Sequence, residues 1–155
     1  MKPLWTRGAA LLMLAQGQLS CGGDDDLQNQ RARWERSKPL RYVVQTCTMG
    51  IHPPGCVRAA IDDGEAVEAE EQVYAGGLGW ERFEAPRDPI EDMFDAVRDG
   101  DVDDCDLEDV TYDRMLGFVE SYALVCDGDI LGGRSVACFE PDTLDLELCD
   151  VIPDD

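Results

Sequence analysis

The chain's single histidine, His52, lies between Cys47 and Cys56. Residue types at this spacing could do chemistry in two ways. A histidine beside a thiol makes a base and nucleophile pair, and two thiolates with an imidazole supply three of the four ligands of a zinc site. Neither reading carries far. His52 stands among Ile51, Pro53, Pro54 and Gly55 with no acid placed to orient it, and a zinc site would need a fourth ligand and reduced thiols. No catalytic residue is assigned, no cofactor is called for, and the chain is read as non-enzymatic.

A second constellation is Asp99-Gly100-Asp101-Val102-Asp103-Asp104-Cys105-Asp106. Hard cations want clustered carboxylates, so Asp99, Asp101, Asp103 and Asp104 are candidate ligands for weak calcium binding. An EF-hand count from Asp99 puts acids at positions one, three and five, but Asp104 then falls where glycine is required and Val110 where the bidentate glutamate belongs. An acidic loop after a helix is the better account. Paired carboxylates for glycoside hydrolysis are not singled out by any spacing. A third stretch, Tyr74 to Phe83, combines Gly76, Gly77 and Gly79 with Tyr74, Leu78, Trp80 and Phe83. It reads as a loop laying aromatics over the core; the sharper reading is a binding loop that inserts into a partner enzyme, as an inhibitor's does.

Cysteine usage bears on the compartment. Seven cysteines in 155 residues suggest an oxidising environment, and an odd number leaves one for another task. Residues 1–20 have the layout of a signal peptide, with Lys2 and Arg7 ahead of the apolar run Gly8 to Ala15, which is shorter than the roughly 20 residues a bilayer span takes. The segment Gln18-Leu19-Ser20-Cys21-Gly22 resembles a bacterial lipobox, although Gln18 stands where an aliphatic residue is preferred. That resemblance implies lipidation of Cys21 and anchoring to a membrane by acyl chains. The expected location is the bacterial cell envelope, facing the periplasm or the cell surface, or secretion if Cys21 is not lipidated. Residues 21–26 read as a flexible acidic tether, 27–152 as one globular domain and 153–155 as a tail.

With 34 acidic against 13 basic residues the formal net charge is −21. Nucleic-acid affinity comes mostly from cations replacing counterions, so DNA and RNA are poor partners, as are anionic lipid head groups. A self-repelling acidic surface also favours a monomer.

The elements that must position these residues follow from local pattern. Asp26 can cap a short helix over Leu27 to Arg36, docked through Trp34 and stopped by Pro39. Leu40 to Cys47 reads as a strand, closed onto Cys56 by a Pro- and Gly-rich turn and a Cys47–Cys56 disulfide. The hairpin at Asp62-Asp63-Gly64 offers two registers. A two-residue turn pairs Ile61 with Ala66 and sets Ala59 against Glu68, apolar opposite charged. A three-residue bulged loop pairs Ile61 with Glu65, Ala59 with Val67, Val57 with Ala69 and Arg58 with Glu68, and is the register expected. Asp88, Pro89 and Glu91 form a helix start, and Ile90, Met93, Phe94 and Val97 recur at helical spacing up to Gly100. Strands follow at 109–113 and 118–126 around a turn at Arg114 to Gly117. After a glycine-rich loop from Asp127 to Arg134 come a short strand at 136–139 and a last one with Leu144, Leu146 and Leu148 inward. Of the 15 connectivities open to six cysteines, the remaining pairs expected are Cys126–Cys138, across the glycine-rich turn, and Cys105–Cys149.

In this order the elements resemble a family of small bacterial lipoproteins known only as a domain of unknown function. The resemblance rests on Trp34, on Arg41 to Cys47, on Pro53-Pro54-Gly55-Cys56, on the Asp62-Asp63-Gly64 hairpin, on Asp88 to Val97, and on Val110 to Asp113 with Leu116 to Phe118. It implies an envelope location and no established activity. The segment Cys126 to Cys149 departs from the plainer strand pair that such members carry.

The expected fold is α+β: an antiparallel sheet of about five or six strands, disulfide-stabilised, covered by one main helix and a short N-terminal helix. The expected function is a membrane-tethered envelope lipoprotein with a non-enzymatic binding or structural role and a protein or peptide partner. The alternatives are the inhibitor-like module and a weak calcium-binding protein.

Overall fold

Trp34 and the aromatic residues around it show where the core lies. The structure, a computed structural model, describes residues 23–50, 55–73, 79–84, 87–102 and 105–150. Trp34, on helix α1 (Gly23–Ser37), is fully buried and meets Tyr42, Phe118 and Phe139 edge-on at centroid distances of 5.6, 5.6 and 6.0 Å. Such pairs add to the area they bury. Helix α1 starts four residues before Leu27, so Gly23–Asp26, expected in the flexible tether, are helical. Acidic residues are favoured at a helix start by the helix dipole, which the run Asp24-Asp25-Asp26 fits.

Helix α2 (Pro89–Asp99) forms as its signals require. Asp88 caps it by accepting from Ile90 N at 2.9 Å, Pro89 opens it, and Gly100 closes it in a left-handed conformation at φ 77°. Ile90, Met93 and Phe94 are buried against the sheet with Val44, Ala59, Ile61, Val119 and Tyr122.

Among the described residues eight strands form one antiparallel sheet. They are β1 (Arg41–Gly50), β2 (Gly55–Asp62), β3 (Glu65–Val73), β4 (Gly79–Arg82), β5 (Asp101–Val102), β6 (Cys105–Tyr112), β7 (Val119–Cys126) and β8 (Asp129–Pro141). Their order is β4-β3-β2-β1-β8-β7-β6-β5. The α+β class, the antiparallel sheet and both helices agree with expectation. The extra strands are β4, from a stretch read as loop, and the two-residue β5.

Four local readings are corrected. Ile61 pairs with Ala66 and Asp62 with Glu65, so the turn is the two-residue Asp63-Gly64 with φ values of 53° and 83°. The expected loop placed the irregularity in the turn; the molecule places it in β3, where a bulge at Val67 restores an apolar register of Ala59 opposite Ala69. Val67 is consequently exposed, and Arg58 pairs with Glu70 in place of Glu68.

Next, Asp127 to Arg134 is not a loop. Asp127-Gly128 is a tight turn with φ values of 53° and 87°, and β8 starts at Asp129 and runs through Gly132 and Gly133. Gly133 permits close approach: a Cβ there would lie 2.4 Å from Tyr122 O.

This hairpin decides the disulfides. Cys47 is joined to Cys56 across β1 and β2, as expected, whereas Cys105 is joined to Cys126 and Cys138 to Cys149. Cys126–Cys138 is excluded because Cys126 stands opposite Asp129, nine residues along β8 from Cys138, or roughly 30 Å at strand rise. Cys105–Cys149 falls with it, since β6 brings Cys105 beside Cys126, its neighbours Asp106 and Val125 being partners.

Finally, Leu144 to Leu148 is not a strand. Leu146–Leu148 form a 3₁₀ turn capped by Asp145; Leu146 is buried while Leu148 is exposed. The segment Thr143–Asp150, termed the strap below, leaves β8 and crosses a sheet face, where Leu146 and Cys149 bury against Val43 and Ala60 in a second cluster, apart from that beneath the helices.

Candidate functional site

The residues expected to do chemistry fare unequally. Cys21, His52, Tyr74, Leu78, Asp103 and Asp104 lie outside the described residues. Asp101 is in β5, and Asp99 is exposed at the end of α2, where its Oδ1 accepts from Arg98 Nε at 2.9 Å. Among the described residues no group of three or more His, Cys, Asp or Glu could hold a metal ion. Trp80 and Phe83 are half-buried and tied to this chain. Phe83 packs against the main core and its N–H donates to Ala69 O at 3.1 Å. The Trp80 indole donates to Asp150 Oδ1 at 2.9 Å, and its ring lies 4.3 Å beneath the Arg58 guanidinium.

Two polar clusters were not anticipated. The first joins the helices to β1. Asp88 is 1 % exposed: one oxygen caps α2 and the other accepts the Tyr42 hydroxyl proton. Burial pushes the Asp88 carboxyl up to about 6, with the two hydrogen bonds opposing that rise. Burial and the Asp88 charge together push the Tyr42 hydroxyl far above the ordinary tyrosine range, so it stays a donor. Alongside, Glu91 accepts from the Trp34 indole at 3.1 Å and from Arg31 at 2.9 Å, locking α1 onto α2. A carboxyl near 6 suits acid–base work, but both Asp88 oxygens are engaged within the fold and no substrate can reach them.

The second cluster is Arg58, Glu70 and Trp80 beneath the strap. Strand alternation turns Arg58 away from the helix-covered core, and the Val67 bulge brings Glu70 opposite it. Arg58 Nε and Nη2 both donate to Glu70 Oε2, at 2.8 and 2.6 Å, while Nη1 donates to Leu146 O at 3.1 Å and Cys149 O at 3.4 Å. A charged fork, an aromatic face and an apolar floor of Val43 and Ala60 therefore hold the 3₁₀ turn of the strap by its carbonyls and one leucine. What this arrangement holds is a segment of its own chain, and the Glu70 carboxylate is taken up by the Arg58 fork. Arg58 was legible as a paired outer-face residue, but its partner on the strap was not, since the strap read as a strand.

A groove of about 470 Å³ lies beside the end of β1 and the first halves of β7 and β8, lined by Gly50, Ser121, Ala123, Gly133, Ser135 and Ile130 among others. The Ser121 hydroxyl is hydrogen-bonded to that of Thr111 at 2.7 Å, not to a base.

No curated protein and no solved structure is significantly similar to the chain. The sequence profile of a family described as of unknown function matches residues 26–127, from α1 through the end of β7. Strand β8, which completes the sheet between β1 and β7, and the strap lie beyond the matched segment. With about two thirds of its length matched, the chain belongs to the family of unknown function DUF6174.

Proposed function

We propose that this chain is a membrane-tethered lipoprotein of the bacterial envelope with a non-enzymatic binding or structural role. The observation that carries the reading is the pairing of Cys47, Cys56, Cys105, Cys126, Cys138 and Cys149 with one another, which leaves Cys21 of the seven cysteines for lipidation. Three disulfides among the described residues suit an oxidising compartment. The charged and apolar sequence of residues 1–20 and the small residues around Cys21 support export and acylation. Helix α1 begins at Gly23, so a lipid on Cys21 would sit close to the domain. The Arg58 and Trp80 cluster, which grips a peptide segment, supports a binding role over catalysis. No described helix is long and apolar enough to cross a membrane, so in this reading the acyl chains are the attachment.

Expression in a bacterial host tests the reading. The full-length protein should fractionate with membranes and its processing should be blocked by globomycin, while Cys21→Ser should be released to the soluble fraction. Membrane association unaffected by Cys21→Ser would overturn it.

A further inference from the structure

We propose that the strap Thr143–Asp150 is a redox-released latch occupying a peptide-binding groove formed by Val43, Ala60, Arg58 and Trp80. The inference is independent of how the protein is attached to a membrane. It starts from the unusual content of the contact: the groove recognises backbone. Arg58 Nη1 takes the carbonyls of Leu146 and Cys149, Leu146 fills the apolar floor, and Asp150 accepts from the Trp80 indole. A segment that takes up the same 3₁₀ turn, with a leucine-sized side chain and a carboxylate four residues on, would make the same contacts in trans. Opening the latch leaves no stranded ion, because Glu70 still pairs with both Nε and Nη2 of Arg58.

The Cys138–Cys149 disulfide ties the strap down across 11 residues. Closing a loop of that size biases the strap toward its docked state by about a hundredfold on the chain-entropy estimate. Its chemistry is local. Cys138 is half-buried, within reach of a reductant, whereas Cys47 and Cys56 are each 1 % exposed between paired strands. A dithiol reductant would act in two steps. Its thiolate attacks Cys138 Sγ and Cys149 leaves as a thiolate; its second thiol then resolves the mixed disulfide and frees Cys138. Two electrons and two protons reach the protein and the reductant becomes a disulfide. The covalent tie is lost, the strap opens more often, and the groove becomes available.

The full-length Cys138→Ser/Cys149→Ser variant tests this by amide hydrogen exchange. The Leu148 and Cys149 amides, bonded to Asp145 O and Leu146 O in the native chain, should exchange about a hundredfold faster at positions 148 and 149, while amides of β1 and β2 beneath α2 keep their protection. Unchanged rates in the strap, or an equal rise throughout the sheet, would overturn the latch. Stepwise dithiol titration of the native protein with alkylation serves if the variant does not fold. Cys138 and Cys149 should be labelled before Cys47 and Cys56, and labelling of Cys47 and Cys56 first or together with them would contradict the proposal.

Discussion

Asp88→Asn should gain stability relative to the native chain as pH rises from acid to neutral. Asp88 is the N-cap of α2, and asparagine caps about as well as aspartate. Its Oδ1 can accept from Ile90 N as before, but its amide meets Tyr42 as a donor, so the Tyr42 hydroxyl proton loses its acceptor equally at every pH. The pH-dependent change is therefore the charge. The folded protein holds the Asp88 carboxyl at about 6, against an ordinary value of 3.8. A carboxyl whose value is raised by folding binds its proton more tightly in the native state, so stability falls as pH rises through this window. The favourable contribution is complete below 3.8 and is lost above about 6. Near 1.4 kcal/mol per pH unit, the window spans about 3 kcal/mol. The other carboxylates and the net charge act on both proteins alike, so the difference between variant and native chain isolates Asp88. Urea denaturation from pH 7.5 to pH 4 should find the stability of the variant relative to the native chain falling by about 2.4 kcal/mol toward pH 4. A gap that does not change with pH would refute the assignment of a buried, pH-linked carboxyl at the α2 cap.

Trp34→Ala removes the fully buried ring that touches Tyr42, Phe118 and Phe139; a loss of about 3–5 kcal/mol is expected in equilibrium unfolding, with α1 amides exchanging fastest. Gly133→Ala places a Cβ 2.4 Å from Tyr122 O, a backbone atom that cannot step aside cheaply, so β7 and β8 must part locally; a drop of about 2 kcal/mol or more should appear in the urea midpoint. Gly64→Ala meets no atom within 4 Å and bears only the strain of φ 83°, so its loss should stay near 1 kcal/mol. Glu70→Ala removes the carboxylate that takes two of the buried Arg58 donors, leaving the strap carbonyls, the Trp80 ring and an Asp150 oxygen 3.9 Å away, and should destabilise by about 3 kcal/mol, far more than Glu81→Ala on the exposed edge strand β4.

Local chemistry made much of this fold readable. Asp88, Pro89 and Gly100 bound α2 where a capping residue, an opening proline and a closing glycine should, and Trp34 docks α1 because so thin a stripe has no other anchor. What the pattern could not reveal are features fixed by non-local pairing. A bulge at Val67 leaves no mark in the alternation, since a single slipped residue looks like a different turn; the choice between turns then went to the register with uninterrupted strands. Gly132 and Gly133 read as loop because glycine weakens a strand in isolation, yet Gly133 lies where β7 leaves no room for a side chain. Misreading that hairpin carried the cysteines with it: once β8 starts at Asp129, Cys126 faces away from Cys138 and toward Cys105. The strap's leucines alternate as a strand's would, but the strap crosses a sheet face, and only Leu146 finds an apolar surface. The Arg58 cluster was hidden for the same reason, as its partners come from β3, β4 and the strap, up to 91 residues away. The family profile covers α1 through β7 and stops before β8 and the strap.

Six cysteines are paired within the domain, and the seventh, Cys21, is proposed to carry the membrane anchor. Intact-mass spectrometry of the protein purified from host membranes, without reductant, tests it directly. The expected result is a chain beginning at Cys21, heavier than its sequence by an acylated glyceryl group, with no thiol open to alkylation because the other six cysteines are paired. A chain carrying an unmodified Cys21, whether or not residues 1–20 have been removed, would contradict it.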